Sequence, residues 1–299
     1  MRCLVCGKLR VSFLLALESG GIALQTLHEW VAHHPRLFVL TGAGVSTGSG
    51  IPGYRDLDGQ WQRKPPVTHQ EFTGSEAVRK RYWARSAIGF PVMAHAQPNA
   101  AHRALAQLES TRHIAHLVTQ NVDGLHQLAG SQRVTELHGS IRQIVCLACG
   151  ARTPRAGLQV RLLEANPQLA AQVAVVAPDG DADLEGVFEE VTVPACTACG
   201  GMLKPDVVFF GAGVPRARLE VALEALAQAD AMLVAGSSLM VYSGYRFCLR
   251  AKELGKPIAA INLGRTRADD LFALKVEEGC APALQRLVET PGVAVGVAT

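Results

Sequence analysis

Two short cysteine motifs constrain this chain more than any other feature: Cys146-Leu-Ala-Cys149-Gly and Cys196-Thr-Ala-Cys199-Gly. In each, two thiols flank two residues and are followed by a glycine, which permits the tight turn that aims both sulfurs at one ion. Two matched halves make a four-thiolate zinc site with Cys146, Cys149, Cys196 and Cys199 as ligands. Redox dithiols or disulfides are the competing readings. They lose because one ion accounts for both pairs, and because nothing else marks the chain as secreted. Four thiolates leave no coordination position open to water, so the ion is expected to hold a small lobe together and to do no chemistry. A third pair, Cys3 and Cys6, has no second half and stays unassigned. Residues 150–195, between the knuckles, exceed what a minimal zinc ribbon needs and include an acidic patch from Asp179 to Glu190. A helix and a surface loop are expected there.

The rest of the chain alternates short apolar runs with helical stretches. Leu37 to Leu40 leads into Thr41-Gly42-Ala43-Gly44, Ile114 to Val118 into Thr119-Gln120-Asn121, Met232 to Ala235 into Gly236-Ser237-Ser238, and Ile258 to Ile261 into Asn262-Leu263-Gly264. Uninterrupted apolar runs of this length read as strands buried on both faces. Helices are predicted over Leu24 to His33, Asn99 to Leu108, Arg216 to Ala229 and Tyr245 to Leu254. The alternation implies an α/β fold, a Rossmann-like parallel sheet with helices on both faces, into which the zinc lobe is inserted. Ligands of such sheets bind beyond the carboxyl ends of the strands, where these Gly, Ser and Asn residues fall. A cleft between the two lobes is the natural active site.

Composition excludes several classes. With 48% hydrophobic and 18% charged residues among 299, the chain can bury a large core and is neither disordered nor fibrous. The 29 Lys and Arg against 26 Asp and Glu leave a net charge of +3, no broad footprint for nucleic acid or an anionic membrane. No apolar stretch is long enough to span a bilayer. Val11 to Leu17, after Lys8 and Arg10, has the character of a signal-sequence core but lacks a clear cleavage site, so residues 1–20 read as a tail.

Gly42-Ala43-Gly44 after a strand lets backbone N–H groups approach a phosphate, and a dinucleotide is the expected ligand. The next glycine is Gly48, giving G-x-G-x-x-x-G, and no acidic residue follows a second strand at the usual distance. This departs from the hydride-transfer fingerprint and disfavours a dehydrogenase.

The run Gly42-Ala43-Gly44-Val45-Ser46-Thr47-Gly48-Ser49-Gly50-Ile51-Pro52-Gly53-Tyr54-Arg55-Asp56, then Thr119-Gln120-Asn121-Val122-Asp123-Gly124-Leu125-His126, then Leu137-His138-Gly139, closely resembles the sirtuin family. The four cysteines, Lys204-Pro205-Asp206-Val207-Val208-Phe209-Phe210-Gly211, Gly236-Ser237-Ser238-Leu239 and Asn262-Leu263-Gly264 follow in the sirtuin order. The resemblance covers roughly residues 21 to 290 and links several motifs, which is far more specific than any one of them.

What the resemblance implies is an NAD-consuming protein deacylase acting on acyl-lysine proteins or peptides. The acyl oxygen attacks the ribose carbon as nicotinamide departs, and the acyl group ends on ADP-ribose. NAD is then a co-substrate, and the zinc is structural. His138 matches the family's base for a ribose hydroxyl, a task suited to an imidazole titrating near neutrality. Asn121 and Asp123 match the residues that hold the nicotinamide carboxamide, beside Ile51 and Val122, since an amide and a carboxylate meet both its donor and its acceptor. Gln120 falls to the ribose. Ala43, Ser46, Pro52, Tyr54 and Arg55 belong to the cofactor loop, with Tyr54 where the family more often has Phe. Gly236, Ser237, Ser238, Asn262, Leu263 and Gly264 fit the adenosine half, and Cys280 matches a position lining the adenine pocket through its backbone, with a buried structural cysteine as the alternative.

The domain division that follows is a tail over 1–20, a Rossmann-like NAD-binding domain over 21–143 and 205–290 with a helical cofactor-loop module at about 53–98, a zinc-binding small domain over 144–204, and a tail over 291–299.

Gly236 to Phe247 and Arg81-Tyr82-Trp83-Ala84-Arg85 resemble class II, the branch that includes an animal mitochondrial member with proposed lipoamidase and ADP-ribosyltransferase activities. Tyr82 and Arg85 share a helix face and resemble a Tyr-x-x-Arg pair that grips acidic acyl groups in another branch; a solvated basic face over packed aromatics is the competing reading. Where sirtuins usually read Phe-Gly-Glu this chain has Phe210-Gly211-Ala212, which bears on substrate preference. The backbone of Val207 to Phe209 is still expected to pair with an extended substrate peptide. Mono-ADP-ribosyl transfer, lipoamide hydrolysis and a non-catalytic NAD-binding scaffold are the alternatives. The expected compartment is the cytoplasm, or the mitochondrial matrix in a eukaryote.

Overall fold

The computed structural model describes residues 27–62, 65–170 and 188–289. The expectations for both tails, for Cys3 and Cys6, and for most of the acidic patch lie outside these residues.

From helix α1 (residues 27–33) the chain enters strand β1 (Leu37–Thr41), passes through two single 3-10 turns, and forms helices α2 (His69–Gly74) and α3 (Glu76–His95). Helix α4 (Ala100–Ser110) returns it to strand β2 (Ile114–Thr119), and the short helix α5 (Leu125–Leu128) leads to strand β3 (Val134–Glu136). It then leaves for the second lobe: strands β4 (Gly139–Cys146) and β5 (Arg152–Pro154), helix α6 (Arg155–Ala165) and strand β6 (Leu203–Val207). Helix α7 (Arg216–Gln228), strand β7 (Ala231–Ala235), helix α8 (Tyr242–Glu253), strands β8 (Ile258–Ile261) and β9 (Leu274–Val276) and helix α9 (Cys280–Glu289) complete it.

Among the described residues, six strands form one sheet in the order β3-β2-β1-β7-β8-β9, every neighbouring pair parallel. All residues of β1, β7 and β8 are buried, as their unbroken apolar runs predict for strands covered on both sides. Successive side chains point to opposite faces. Leu37 and Val39 accordingly join the core with Leu105, Leu108 and Leu284, while Phe38 and Leu40 join the other with Leu226 and Phe247.

Helix starts follow local chemistry. The Asn99 side chain accepts from Ala101 N–H at 2.8 Å and caps α4. Its amide also donates to Val45 O at 2.8 Å and Ser49 Oγ at 3.0 Å, which ties the turn after β1 to that helix. Helix α8 begins three residues before its predicted start.

The second lobe is an antiparallel sheet, β5-β4-β6. Its strands start at Gly139 and end at Val207, reaching past the 144–204 span on both sides, because the cysteines mark only the knuckle end of strands that run on to the cleft. Helices α2 and α3 pack on this lobe: Phe72, Tyr82 and Trp83 share a core with Ile144, Leu158, Leu162 and Phe209. Among the described residues no helix is long and apolar enough to cross a membrane.

Candidate active site

The two knuckles are built alike. Gly150 N–H donates to Cys146 O at 2.9 Å and Gly200 N–H to Cys196 O at 2.8 Å. Both glycines sit at positive φ, 72° and 73°, which only glycine adopts cheaply. The four sulfurs all lie within 4.8 Å of one another, with Cys146–Cys199 at 3.5 Å and Cys149–Cys196 at 3.9 Å. A tetrahedral ion with Zn–S near 2.3 Å separates its ligand sulfurs by about 3.8 Å, so the set fits zinc. Backbone N–H groups of Cys149 and Ala148 pull the Cys146 thiol down to about 6, while its sulfur neighbours push the Cys199 thiol up to about 12, as expected for closely packed thiols that cannot all ionise without a cation among them.

Beyond the carboxyl ends of β1, β2, β7 and β8 lies a cavity of about 590 Å³ between the lobes. At one end it meets Gly236, Ser237, Asn262, Leu263 and Cys280; at the other, Asn121, Asp123 and His138. Gly42, Ala43, Gly44, Ser46, Ile51, Tyr54 and Arg55 line it from the turn after β1, Gln120 and Val122 from the turn after β2, and Ser238 from the turn after β7. Of the predicted contacts, Pro52 and Gly264 do not line it. The Cys280 thiol is pushed up to about 12 by burial and points to Ile261 O at 3.6 Å, which makes it a structural thiol.

The polar end is one hydrogen-bonded network. Ser46 Oγ donates to Asp123 Oδ2 at 2.7 Å and accepts from Asn121 Nδ2 at 2.9 Å. Asn121 Nδ2 also donates to Gly42 O at 3.1 Å, and Leu125 N–H donates to Asp123 Oδ1 at 2.9 Å. Two histidines that sequence reasoning missed lie beneath. His102 Nε2 is 3.4 Å from Ser46 Oγ, His126 Nε2 is 2.9 Å from Thr41 Oγ1, and the rings stand 4.9 Å apart. Burial lowers His102 to about 4 and His126 well below its usual range, so both are neutral at neutral pH. His126 closes the Thr119–His126 motif but was given no role there, and nothing in the sequence separated His102 from the other histidines.

His138, just past the end of β3, is fixed at both ring nitrogens, with Nδ1 2.8 Å from Gln120 O and Nε2 2.7 Å from Ser243 Oγ. Burial lowers its pKa, the Gln120 carbonyl opposes that, and the Arg218 charge adds to it. The ring is therefore held neutral at the cavity wall.

The loop carrying Tyr54 and Arg55 is folded on Asp56, whose Oδ1 accepts from Asp58 N–H at 3.0 Å and Gln60 N–H at 2.8 Å. Arg55 lies 4.1 Å over the Trp61 ring and donates to Gly59 O at 2.7 Å. A carboxamide-matching pair, a guanidinium and a turn of backbone amides converge on one cavity of about 590 Å³, so the residues present fit NAD.

On the substrate side, Val207 and Phe209 line the cavity together with Ala212. β6 is an edge strand, paired with β4. Tyr82 is 6% exposed, its ring edge-on to Phe72 at 5.3 Å and tilted against Phe209 at 5.3 Å. Neither Tyr82 nor Arg85 is among the residues that line the cavity, and Phe209 stands between Tyr82 and it. Their spacing puts them on one face of α3, but that face packs on the zinc lobe.

Comparison with known proteins places these features. The Sir2 family model matches residues 42–243. The chain is 58% identical over 268 residues, 89% of its length and 92% of the other's, to an NAD-dependent protein deacetylase of Xanthomonas axonopodis pv. citri (strain 306). It is 47% identical over 265 residues, 87% and 84% of the two chains, to the mitochondrial NAD-dependent protein lipoamidase sirtuin-4 of Bos taurus. A solved structure of Sir2 with a p53 peptide and NAD+ superposes with a TM-score of 0.73 at 29% identity, covering 89% of this chain and 97% of that one.

Proposed function

This chain belongs to the Sir2, or sirtuin, family, and from that premise we propose that its cleft removes acyl groups from lysine side chains of proteins or peptides at the expense of NAD, releasing nicotinamide and O-acyl-ADP-ribose. The observation that carries the reading is the imidazole of His138, neutral and fixed at the end of the cavity that also holds the Asn121–Ser46–Asp123 network.

NAD, bound as co-substrate, supplies the ribose carbon to which the acyl oxygen adds. Asn121 and Asp123 hold its carboxamide in this reading, and Ser46 keeps them at fixed separation by bonding to both. Ile51 and Val122 exclude water beside them. Gln120 contacts the ribose, Arg55 and the turn at Gly42–Gly44 meet the pyrophosphate, and Ser237, Asn262, Leu263 and the backbone of Cys280 receive the adenosine half. His138 takes a hydroxyl proton at Nε2, because Nδ1 is committed to the Gln120 carbonyl. The substrate backbone adds along the free side of β6 near Val207 and Phe209. Cys146, Cys149, Cys196 and Cys199 would hold zinc, which would tie the knuckle at the end of β4 to the one that precedes β6.

A lipoyl substrate is the second reading, favoured by the bovine relative that is named a lipoamidase. An acidic acyl chain would meet Phe209 before Tyr82 or Arg85. Equal turnover of succinyl and acetyl peptides, unchanged by Arg85→Met, removes that role. The bacterial source of the Xanthomonas relative supports a cytoplasmic location.

The test is mass spectrometry of the products from NAD and a panel of acetyl, succinyl, glutaryl, long-chain and lipoyl lysine peptides, with His138→Ala alongside. O-acyl-ADP-ribose from at least one peptide is expected, reduced at least about 100-fold in the variant. ADP-ribose left on a protein, with no peptide turned over, would transfer the assignment to ADP-ribosylation. Unconsumed NAD throughout would end the catalytic reading.

A further inference from the structure

The first turn of α8 is built around the imidazole of His138. A carbonyl oxygen only accepts, so the 2.8 Å contact with Gln120 O places the ring proton on Nδ1 and leaves Nε2 with its single in-plane lone pair. That lone pair is taken: Ser243 Oγ lies 2.7 Å away and donates its hydroxyl proton to it.

Ser243 is the second helical residue of α8, past the N-cap position held by Val241, so its hydroxyl is not used as a helix cap and goes to the histidine. The next residue serves the same ring from the other side. A Cβ at Gly244 would fall 2.4 Å from Gln120 Oε1, so only glycine leaves room for the Gln120 side chain. That side chain is anchored by donating to Ser237 Oγ at 2.8 Å and Thr41 O at 3.2 Å, which fixes the residue whose carbonyl orders Nδ1. Ser243 and His138 both line the cavity.

We propose that Ser243 and His138 act as one two-residue base, the serine hydroxyl relaying the proton between a substrate hydroxyl and Nε2. A proton arriving from the cavity meets an occupied lone pair and reaches Nε2 through Oγ. The substrate O–H bond breaks and leaves its electron pair on the substrate oxygen. A new O–H bond forms on Ser243 as its original proton passes to Nε2. The positive charge rests on the imidazolium, which keeps its Nδ1–H bond to Gln120. A hydroxyl can play this part because it donates and accepts at one atom.

The inference rests on the deacylase reading, in which His138 is the base. The first readout needs no NAD: in nitrogen-15 NMR of the free protein, His138 is expected as the Nδ1–H tautomer, with its Nε2 resonance displaced in Ser243→Ala. In the second, Ser243→Ala lowers O-acyl-ADP-ribose formation about 10- to 100-fold and Ser243→Thr restores most of it, while nicotinamide exchange, which does not need the base, persists. A Ser243→Ala protein that forms product at the wild-type rate or faster, that leaves Nε2 unshifted, or that loses exchange and product together overturns the relay. His138→Ala is run in parallel. If it still forms product, the base assignment itself fails; if only it is impaired, His138 works without the serine.

Discussion

His102 and His126 lie under Asp123, their rings tilted against each other 4.9 Å apart in surroundings that keep both uncharged. This has a consequence for stability, because an unfolded histidine titrates near 6.5. Between that value and about 4, where folded His102 titrates, the unfolded chain binds a proton that the folded one refuses. Stability is therefore full above about pH 6.5 and falls as the pH drops toward 4, by up to about 1.4 kcal/mol per pH unit for this one group. Thermal melts between pH 7.5 and 4.5 should show Tm falling in the wild type and a shallower fall in His102→Gln; identical slopes would exclude His102 as the cause. At this scale the sequence was unevenly legible. Asn121, Asp123 and His138 stood out because they sit in motifs that resemble the sirtuin family, just past the ends of β2 and β3. Nothing local marks Ser243, which falls before the predicted helix start at Tyr245 and whose partner lies 105 positions away.

Strand β4 joins the knuckles to the proposed base. That strand runs from Gly139, the neighbour of His138, to the ligand Cys146, and its pairing with β6 joins Cys146 to Leu203 and Gly139 to Val207. Loss of the ion should loosen both strands and reach the base. One zinc per chain is expected by metal analysis. Cys196→Ser should lose it, lower Tm by at least about 5 °C, and lose deacylation along with the lobe. A variant that melts and works as the wild type does would show the site to be dispensable. The parallel strands and the knuckles were the easiest elements to read, one from unbroken apolar runs and the other from matched spacing. The start of α8 was harder, because the residue at its N-cap, Val241, has no side chain that can cap it.

Across the whole molecule the cleft depends on how helices α2 and α3 join the zinc lobe. Phe72 is fully buried against Tyr82, Trp83 and Phe209, at ring separations of 5.3, 6.4 and 5.3 Å, and Phe209 also lines the cavity. Phe72→Ala should cost about 3–5 kcal/mol in urea unfolding and raise the KM for acyl peptide, because the wall behind Phe209 then gives way. A full energetic cost with an unchanged KM would mean that the cluster supports the lobe but does not shape the substrate channel.

The amino-acid sequence by itself determined the alternation of strand and helix, the zinc ligands and the motif residues at the strand ends, because each depends on chemistry between near neighbours: apolar periodicity, a four-residue knuckle, a turn at a carboxyl end. Only the tertiary structure decided that Tyr82 lies behind Phe209, that two neutral histidines underlie Asp123, and that Ser243 closes on His138. Those contacts join residues tens of positions apart, and their geometry is set by how whole elements pack, which no local pattern encodes.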